Sequence, residues 1–363
     1  MEMYKVFYLD DEKNDLVLPI KEKLESTGTL SVTWGKPATF EDELSVIEKL
    51  LKDHHCVLLD LQLDEKQEDG TQVRYQAPTL AQQIRTLGSE KRIPECPKIL
   101  CSTADKVKIS FSRDFTSHNL FDWTFMKSDI NTETVGKIIS VIEAYSTVSK
   151  SKKDFSDLLK RNYHDIDERI LSRFVNEDDP PVHEICRTIL NEIVQVRGVL
   201  IEEDVLAARL GIDIEKSKGW EDIKSQLFEE AKYSGIFSSS WKRWWADKVF
   251  DIFEQKTKAN LASLEARERV DLLQEHVKEP IVASEPLQFC QSTNFWTVCQ
   301  VTRKAIDPFE AFKIDMKEEP KPWQDYQYVS LYALLERLAE QEGIVIHPSE
   351  TDRFRVESES CES

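Results

Sequence analysis

The strongest constraint on this chain is an alternation in its first 145 residues. Apolar runs at 6–9, 56–59, 99–101 and 123–126, with a weaker one at 30–32 and Trp34, are separated by helix-spaced stretches at 16–26, 41–51, 79–86 and 132–145. Short continuous apolar runs suit strands buried on both faces. Neighbouring parallel strands need a long crossover, usually a helix, to connect them. The pattern therefore predicts βαβαβαβαβα, an α/β doubly wound five-stranded parallel sheet. The polar loop 64–78, which contains Gly70, is expected on the surface.

Each run ends on a residue that carries chemistry. Asp10-Asp11-Glu12 follows the first, Asp60 the second, Thr103-Ala104 the third and Lys127 the last. In a parallel α/β sheet the carboxyl ends of the strands share one rim, and ligands bind there. Clustered carboxylates repel one another and need a cation to stay ionised. Hard oxygen donors with room for water suit Mg²⁺. A carboxylate beside such an ion can attack phosphorus, while an ammonium and a hydroxyl steady the phosphoryl oxygens. The set suits phosphoryl transfer onto an aspartate.

The segments KVFYLDDE, VLLDLQL, PKILCSTA and FMKS, in that order and each on a strand end, resemble the receiver domain of two-component response regulators. The resemblance covers about residues 3–145 and implies a flavodoxin- or CheY-like fold. It implies Asp60 as phosphoacceptor, and Mg²⁺ held by Asp10, Asp11, Asp60 and the Gln62 carbonyl. Thr103 and Lys127 would bind the phosphoryl group, and a histidine kinase or phosphotransfer protein would supply it. The chain departs from the family at three places. Ser128 replaces the proline that usually follows the lysine. Thr124 stands where an aromatic switch residue is common, flanked by Trp123 and Phe125. The loop after Asp60 is long.

Beyond a polar stretch at 146–153, residues 154–278 read as helical. The remainder reads as a few short strands, a helix at 328–341 and a small hairpin at 344–347 and 353–356, in outline a winged helix. The expected division is a receiver at 1–147, a helical domain at 148–280 and a small α+β unit at 281–363. Trp241, Trp244, Trp245 and Val249 fall at helical spacing and read as a buried stripe rather than a nucleic-acid face. His164, His183 and Cys186 lack a fourth zinc donor, so they read as ordinary residues, as do His54 and His55 beside Cys56. Asp307 with Asp315 and Lys317 faintly resembles a nuclease pattern. Prolines nearby and the lack of a central sheet argue against it.

Charge narrows the partners. The net charge is −19, with 19 basic and 25 acidic residues up to position 150 and 29 and 42 after it. Both parts repel a polyanion on average, which disfavours nucleic acid without excluding a local patch. The seven cysteines are scattered with no CxxC pair, and no apolar run approaches a membrane span. A cytoplasmic protein with reduced thiols and no membrane contact is expected. The leading reading is a phosphorylated switch that alters C-terminal protein–protein contacts, with a homodimer left open. The alternatives are a DNA-binding regulator, an adaptor that is not phosphorylated, and a receiver-gated effector enzyme in a bacterial defence system.

Overall fold

A computed structural model describes residues 3–67, 70–113, 119–151, 154–174 and 179–362. The last two residues of the 146–153 stretch, and 68–69 of the long loop, lie outside them. Close contacts divide the chain into two compact units. One comprises residues 1–190 together with 234–241, the other 191–233 with 242–363.

The first unit contains the α/β sheet. Its elements run β1 (Tyr4–Leu9), α1 (Asn14–Glu25), β2 (Leu30–Gly35), α2 (Phe40–Leu50), β3 (Cys56–Leu59), α3 (Ala77–Ser89), β4 (Lys98–Ser102), α4 (Ala104–Arg113), β5 (Trp123–Met126) and α5 (Thr132–Lys150). All pairings are parallel, in the order β2-β1-β3-β4-β5. That is the flavodoxin- and CheY-like winding, so the expected fold stands. Both faces are covered. Phe7, Leu9, Val57, Leu59 and Leu100 pack with Ile47, Leu80 and Ile84 of the helices, each buried aliphatic side chain contributing about 1.5–3 kcal/mol. α5 buries Val135, Ile138, Val141, Ile142, Tyr145 and Val148. Asn131 caps it by accepting a hydrogen bond from the Thr134 N–H at 3.0 Å. The boundary expected at 147 falls inside this helix.

Three short helices, α6 (Phe155–Leu159), α7 (Glu168–Leu171) and α8 (Val182–Ile189), belong to the same unit. α8 lies against α5. It is fastened by Glu95, whose carboxylate accepts from the backbone N–H groups of Val182 and His183 at 3.3 Å and lies 3.1 Å from His183 Nδ1.

The second unit mixes short helices and two-residue strands: β6 (Leu200–Ile201), α9 (Glu203–Leu210), α10 (Trp220–Asp222), β7 (Trp244–Trp245), α11 (Ala246–Thr257), α12 (Ala266–Gln274), β8 (Thr297–Val298), β9 (Ala305–Ile306), β10 (Phe312–Lys313), β11 (Tyr328–Val329), α13 (Leu331–Leu335), α14 (Leu338–Gln341) and α15 (Thr351–Glu362). Gly211 ends α9 in the left-handed region at φ 75°, and a Cβ there would meet Ala266 Cα at 2.6 Å. Arg269, 1% exposed, donates to the carbonyls of Leu264, Arg209 and Phe295. It thereby satisfies backbone acceptors that the irregular chain path leaves open.

Three local expectations fail here. The tryptophan stripe is not helical: Ile201 pairs with Trp244 and Leu200 with Trp245, and the helix begins only at Ala246. Adjacent aromatic residues fit a strand as well as a helix, and a pairing partner decides the matter. The helix expected over 328–341 breaks at Arg337, which takes φ 56°. The hairpin is absent, because residues 351–362 form α15 and Ile346 bridges to Ile314 instead. With those two changes the winged-helix outline is lost.

Candidate functional site

The strand register builds the site. Leu9 is level with Leu59, Leu59 with Leu100, and Ser102 with Met126. The next residue on each strand, Asp10, Asp60, Thr103 and Lys127, therefore emerges at one rim. Asp10 and Asp60 are fully buried and Asp11 nearly so.

Lys127 stands among them. Its Nζ is 2.8 Å from Asp10 Oδ2, 3.0 Å from Asp60 Oδ1 and 3.2 Å from Glu12 Oε2. Tyr8 OH donates to Asp10 Oδ2, and the Glu12 N–H donates to Asp10 Oδ1 at 2.9 Å. The Gln62 N–H holds Asp60 Oδ2 at 3.1 Å, and the Glu65 N–H holds Asp11 Oδ2 at 2.7 Å. Asp60 Oδ1 and Asp11 Oδ1 are buried without a hydrogen bond. The Lys127–Asp60 approach is thus an ion pair whose angles fall outside hydrogen-bond geometry.

Thr103 lies at the same rim but on its exposed side, and no hydrogen bond joins its hydroxyl to Asp60 among the described residues. Its carbonyl accepts from the Val107 N–H at 3.1 Å as α4 begins. Gln62 is fixed to Asp60 through its N–H.

Three participants go unnoticed in the sequence. Lys106 Nζ lies 3.7 Å from Asp60 Oδ2 and 3.3 Å from Glu65 Oε1. It is three residues beyond Thr103, one helical turn, so its spacing could have placed it over the rim. Tyr8 is two residues before Asp10 and shares its face by strand alternation. Glu65 sits in a loop, which carries no such periodicity.

Five carboxylates (Asp10, Asp11, Glu12, Asp60, Glu65) surround two ammonium groups. Burial pushes the Asp60 carboxyl upward, with Lys127 opposing and Asp10 adding repulsion. Burial likewise lifts Asp11 to about 6, against the Glu65 N–H. For Lys127, burial disfavours the charge, but Asp60 and Asp10 outweigh it and raise the pKa. The rim is short of positive charge, and Asp11 Oδ1 and Asp60 Oδ1 are buried with no hydrogen bond, the latter facing only the Lys127 ammonium. Those features fit a hard divalent cation. Among the described residues no three His, Cys, Asp or Glu side chains are arranged to hold a metal ion. The positive charge between Asp10 and Asp60 is the Lys127 ammonium.

The other candidates have ordinary roles. His183 lies between Glu95 and Glu184, and Cys186 is buried. His55 Nδ1 accepts from the Lys5 N–H, and Asp307 accepts from Ser292 Oγ and the Phe309 N–H. The seven cysteines are free, and no helix among the described residues is long and apolar enough to cross a membrane.

Fold and site together define a doubly wound α/β domain with an acid–lysine cluster at the carboxyl rim of its sheet. No family model and no curated protein matches the chain. Among solved structures it is similar to the RcsB response regulator of Salmonella typhimurium, described for conformational dynamism in DNA interaction. The identity is 20% over 52% of this chain and 84% of that one, with a TM-score of 0.24. It is also similar to response regulator RPA3017 in red light signaling of R. palustris, at 14% identity over 40% of this chain and 93% of that one, again with a TM-score of 0.24. Likeness at that level carries no argument, and the fold rests on the strand order.

Proposed function

We propose that this protein is a phosphorylatable response regulator in which Asp60 accepts a phosphoryl group and thereby alters C-terminal contacts with a protein partner. The observation that carries the reading is the meeting of Asp60, Asp10 and Lys127, with Lys127 Nζ within 3.0 Å of both carboxylates. A buried salt bridge alone is weak evidence for stability. Asp60 has one oxygen that faces an ammonium without a hydrogen bond and another that accepts from the Gln62 N–H, which leaves lone pairs open to attack phosphorus.

In the proposed reaction an Asp60 oxygen attacks phosphorus. The P–N bond of a phosphohistidine on a histidine kinase or phosphotransfer protein breaks, or the P–O bond of a small phosphodonor. The leaving group departs with the electron pair, and an acyl phosphate remains. Lys127 neutralises a phosphoryl oxygen, and Thr103 donates to another once it turns inward. Asp10, Asp11, Asp60 and the Gln62 carbonyl are the residues that would hold Mg²⁺, which when bound would supply charge neutralisation. Tyr8 and the Glu12 N–H keep Asp10 in place.

The test is intact-mass measurement after treatment with a small phosphodonor and Mg²⁺. One phosphoryl group is expected on the wild type and none on Asp60→Asn. A wild type that stays unmodified and also fails to bind beryllofluoride, a phosphoryl mimic, overturns the proposal in favour of an unphosphorylated adaptor.

A further inference from the structure

Phe309, in the second unit, is 92% exposed, the most exposed large apolar side chain among the described residues. Single apolar residues on a surface are ordinary, but this one stands on a braced turn. Asp307 forms its base. The Asp307 carboxylate accepts from the Phe309 N–H at 2.9 Å and from Ser292 Oγ at 2.5 Å, and its carbonyl accepts from the Ala311 N–H at 3.0 Å. From the other side Arg353 Nη1 donates to the Phe309 carbonyl at 3.0 Å. Both backbone polar groups of Phe309 are thus held, while its ring stands in water, where apolar surface is unfavourable.

A second exposed ring is tied to the same place. The Glu310 carboxylate accepts from the Gln291 and Ser292 N–H groups at 3.1 and 3.0 Å. That joins the segment of Phe309 to the segment of Phe289, which is 42% exposed. Both segments also border one cavity of about 450 Å³ in the second unit. Leu287 and Ala305 form one side of it, and Ala207 and Ala208 of α9, Ile212 and Val298 of β8 line the rest of its apolar surface. A cavity of about 150 Å³ already accepts a benzene ring, so this one has room for a phenylalanine side chain. Its rim is charged: Lys304 lies 2.8 Å from Glu215, Lys216 lies 3.1 Å from Asp213, and Glu285 is beside them.

Knob and hole therefore adjoin. Leu287 stands two residues before Phe289, and Ala305 four before Phe309. The Phe309 ring does not enter the cavity of its own chain, since it is almost wholly exposed. In a two-fold dimer one patch faces a second copy of itself, so each copy's knob meets the other's hole. The charges agree with that pairing. The knob is flanked by the Glu310 carboxylate and the hole by the ammonium groups of Lys304 and Lys216. The side chains of those lysines are 49% and 56% exposed. Their present ion pairs are worth little in water and exchange partners at small cost. An aromatic anchor, an apolar pocket and a polar rim are the parts of a specific protein interface.

We propose that the second unit pairs with a second copy of this chain, Phe309 of each entering the cavity bordered by α9, β8 and β9 of the other, with Glu310 meeting Lys304 across the rim. The pairing goes beyond the phosphoacceptor reading and does not depend on it, because none of these residues belongs to the sheet rim of the first unit. The net charge of −19 on each chain opposes association at long range. At physiological salt that repulsion is screened beyond about 8 Å, which leaves the outcome to the local contact.

The test is sedimentation velocity of the full-length, unmodified protein from about 1 to 100 μM, in about 150 mM salt. The wild type is expected to pass from monomer to dimer within that range. Phe309→Asp changes a side chain that lies in water, so the chain still folds, and it should weaken the dimer at least about thirtyfold, as loss of an anchor does. Lys304→Glu sets a carboxylate against Glu310 of the other copy and should weaken it about three- to tenfold. A wild type that stays monomeric throughout overturns the proposal and leaves ring and cavity to ligands of other kinds. A dimer that survives Phe309→Asp also overturns it, since the contact then lies elsewhere on the chain. So does a dimer indifferent to Lys304→Glu, which takes the cavity rim out of the contact. The phosphoacceptor reading is untouched by any of these results.

Discussion

Replacing Lys127 by Met removes an ammonium that lies within 3.2 Å of three carboxylates. Methionine keeps most of the stem's volume, so the loss is chiefly electrostatic. The Lys127 side chain is 8% exposed and the Asp10 and Asp60 side chains 0%, so water cannot replace the lost charge. Breaking a buried pair from one side costs about 3–5 kcal/mol. In a unit of this size each kcal/mol lowers the melting temperature by about 2–4 °C, for an expected fall of about 6–20 °C. Much of that penalty is mutual repulsion of Asp10 and Asp60. Two consequences follow from this cause and from no general loss of packing. Adding Asp60→Asn to Lys127→Met should recover a large part of the loss, and millimolar Mg²⁺ should stabilise Lys127→Met more than wild type. Both are read by thermal and urea unfolding of the four proteins of the double-mutant cycle, with and without Mg²⁺. A Lys127→Met protein within about 1 kcal/mol of wild type, or a cycle with no coupling, would refute the view that the ammonium holds the carboxylates together.

Further outcomes are expected elsewhere. Lys106→Ala, at a side chain 19% exposed with only longer ion pairs, should change stability by less than about 1 kcal/mol. It should nevertheless slow single-turnover phosphorylation by a small phosphodonor, since its ammonium lies 3.7 Å from Asp60. Gly211→Ala places a Cβ against the Ala266 backbone at a positive φ, and should cost about 1–3 kcal/mol or more in chemical denaturation. His183 is disfavoured as a cation by burial, but its bonds to Glu184 and Glu95 outweigh this and raise its pKa. Its stabilisation is complete below its usual 6.5 and fades as pH rises through the folded value. The His183 bond lowers Glu184 to about 2, and Glu95 is also lowered, burial being outweighed by His183. Those contributions are present above pH 4.5 and are lost as pH falls through the folded values. The pH dependence of unfolding should therefore flatten in His183→Gln in two windows, as pH rises above 6.5 and as it falls below 4.5.

The sheet is legible in the sequence because its strands are nearly continuous apolar runs and its helices have a clear stripe. Those periodicities follow from burial on two faces and on one face. The convergence of Asp10, Asp60 and Lys127 is legible for a related reason, since residues that end parallel strands must share a rim. Glu65 and Lys106 illustrate what is lost. One enters the site from a loop, and the other acts through a long side chain whose reach a pattern does not encode. The second unit is legible only in part. Its strands are two residues long, and whether Trp244-Trp245 continues a helix or pairs with Leu200-Ile201 depends on a partner more than forty residues away. Arg337 breaks a good amphipathic pattern with one left-handed residue, a choice set by packing and not by local propensity.

The discontinuity of the first unit also bears on how the chain is made. A ribosome delivers residues 1–190 well before Trp241, so a nascent domain must wait with Trp123 lacking its aromatic lid. Domains that fold during synthesis commonly close as soon as their sequence has emerged. Here completion is deferred by the intervening residues 191–233. A fragment ending near residue 190 should consequently be a stickier and less stable object than the same residues in the finished molecule.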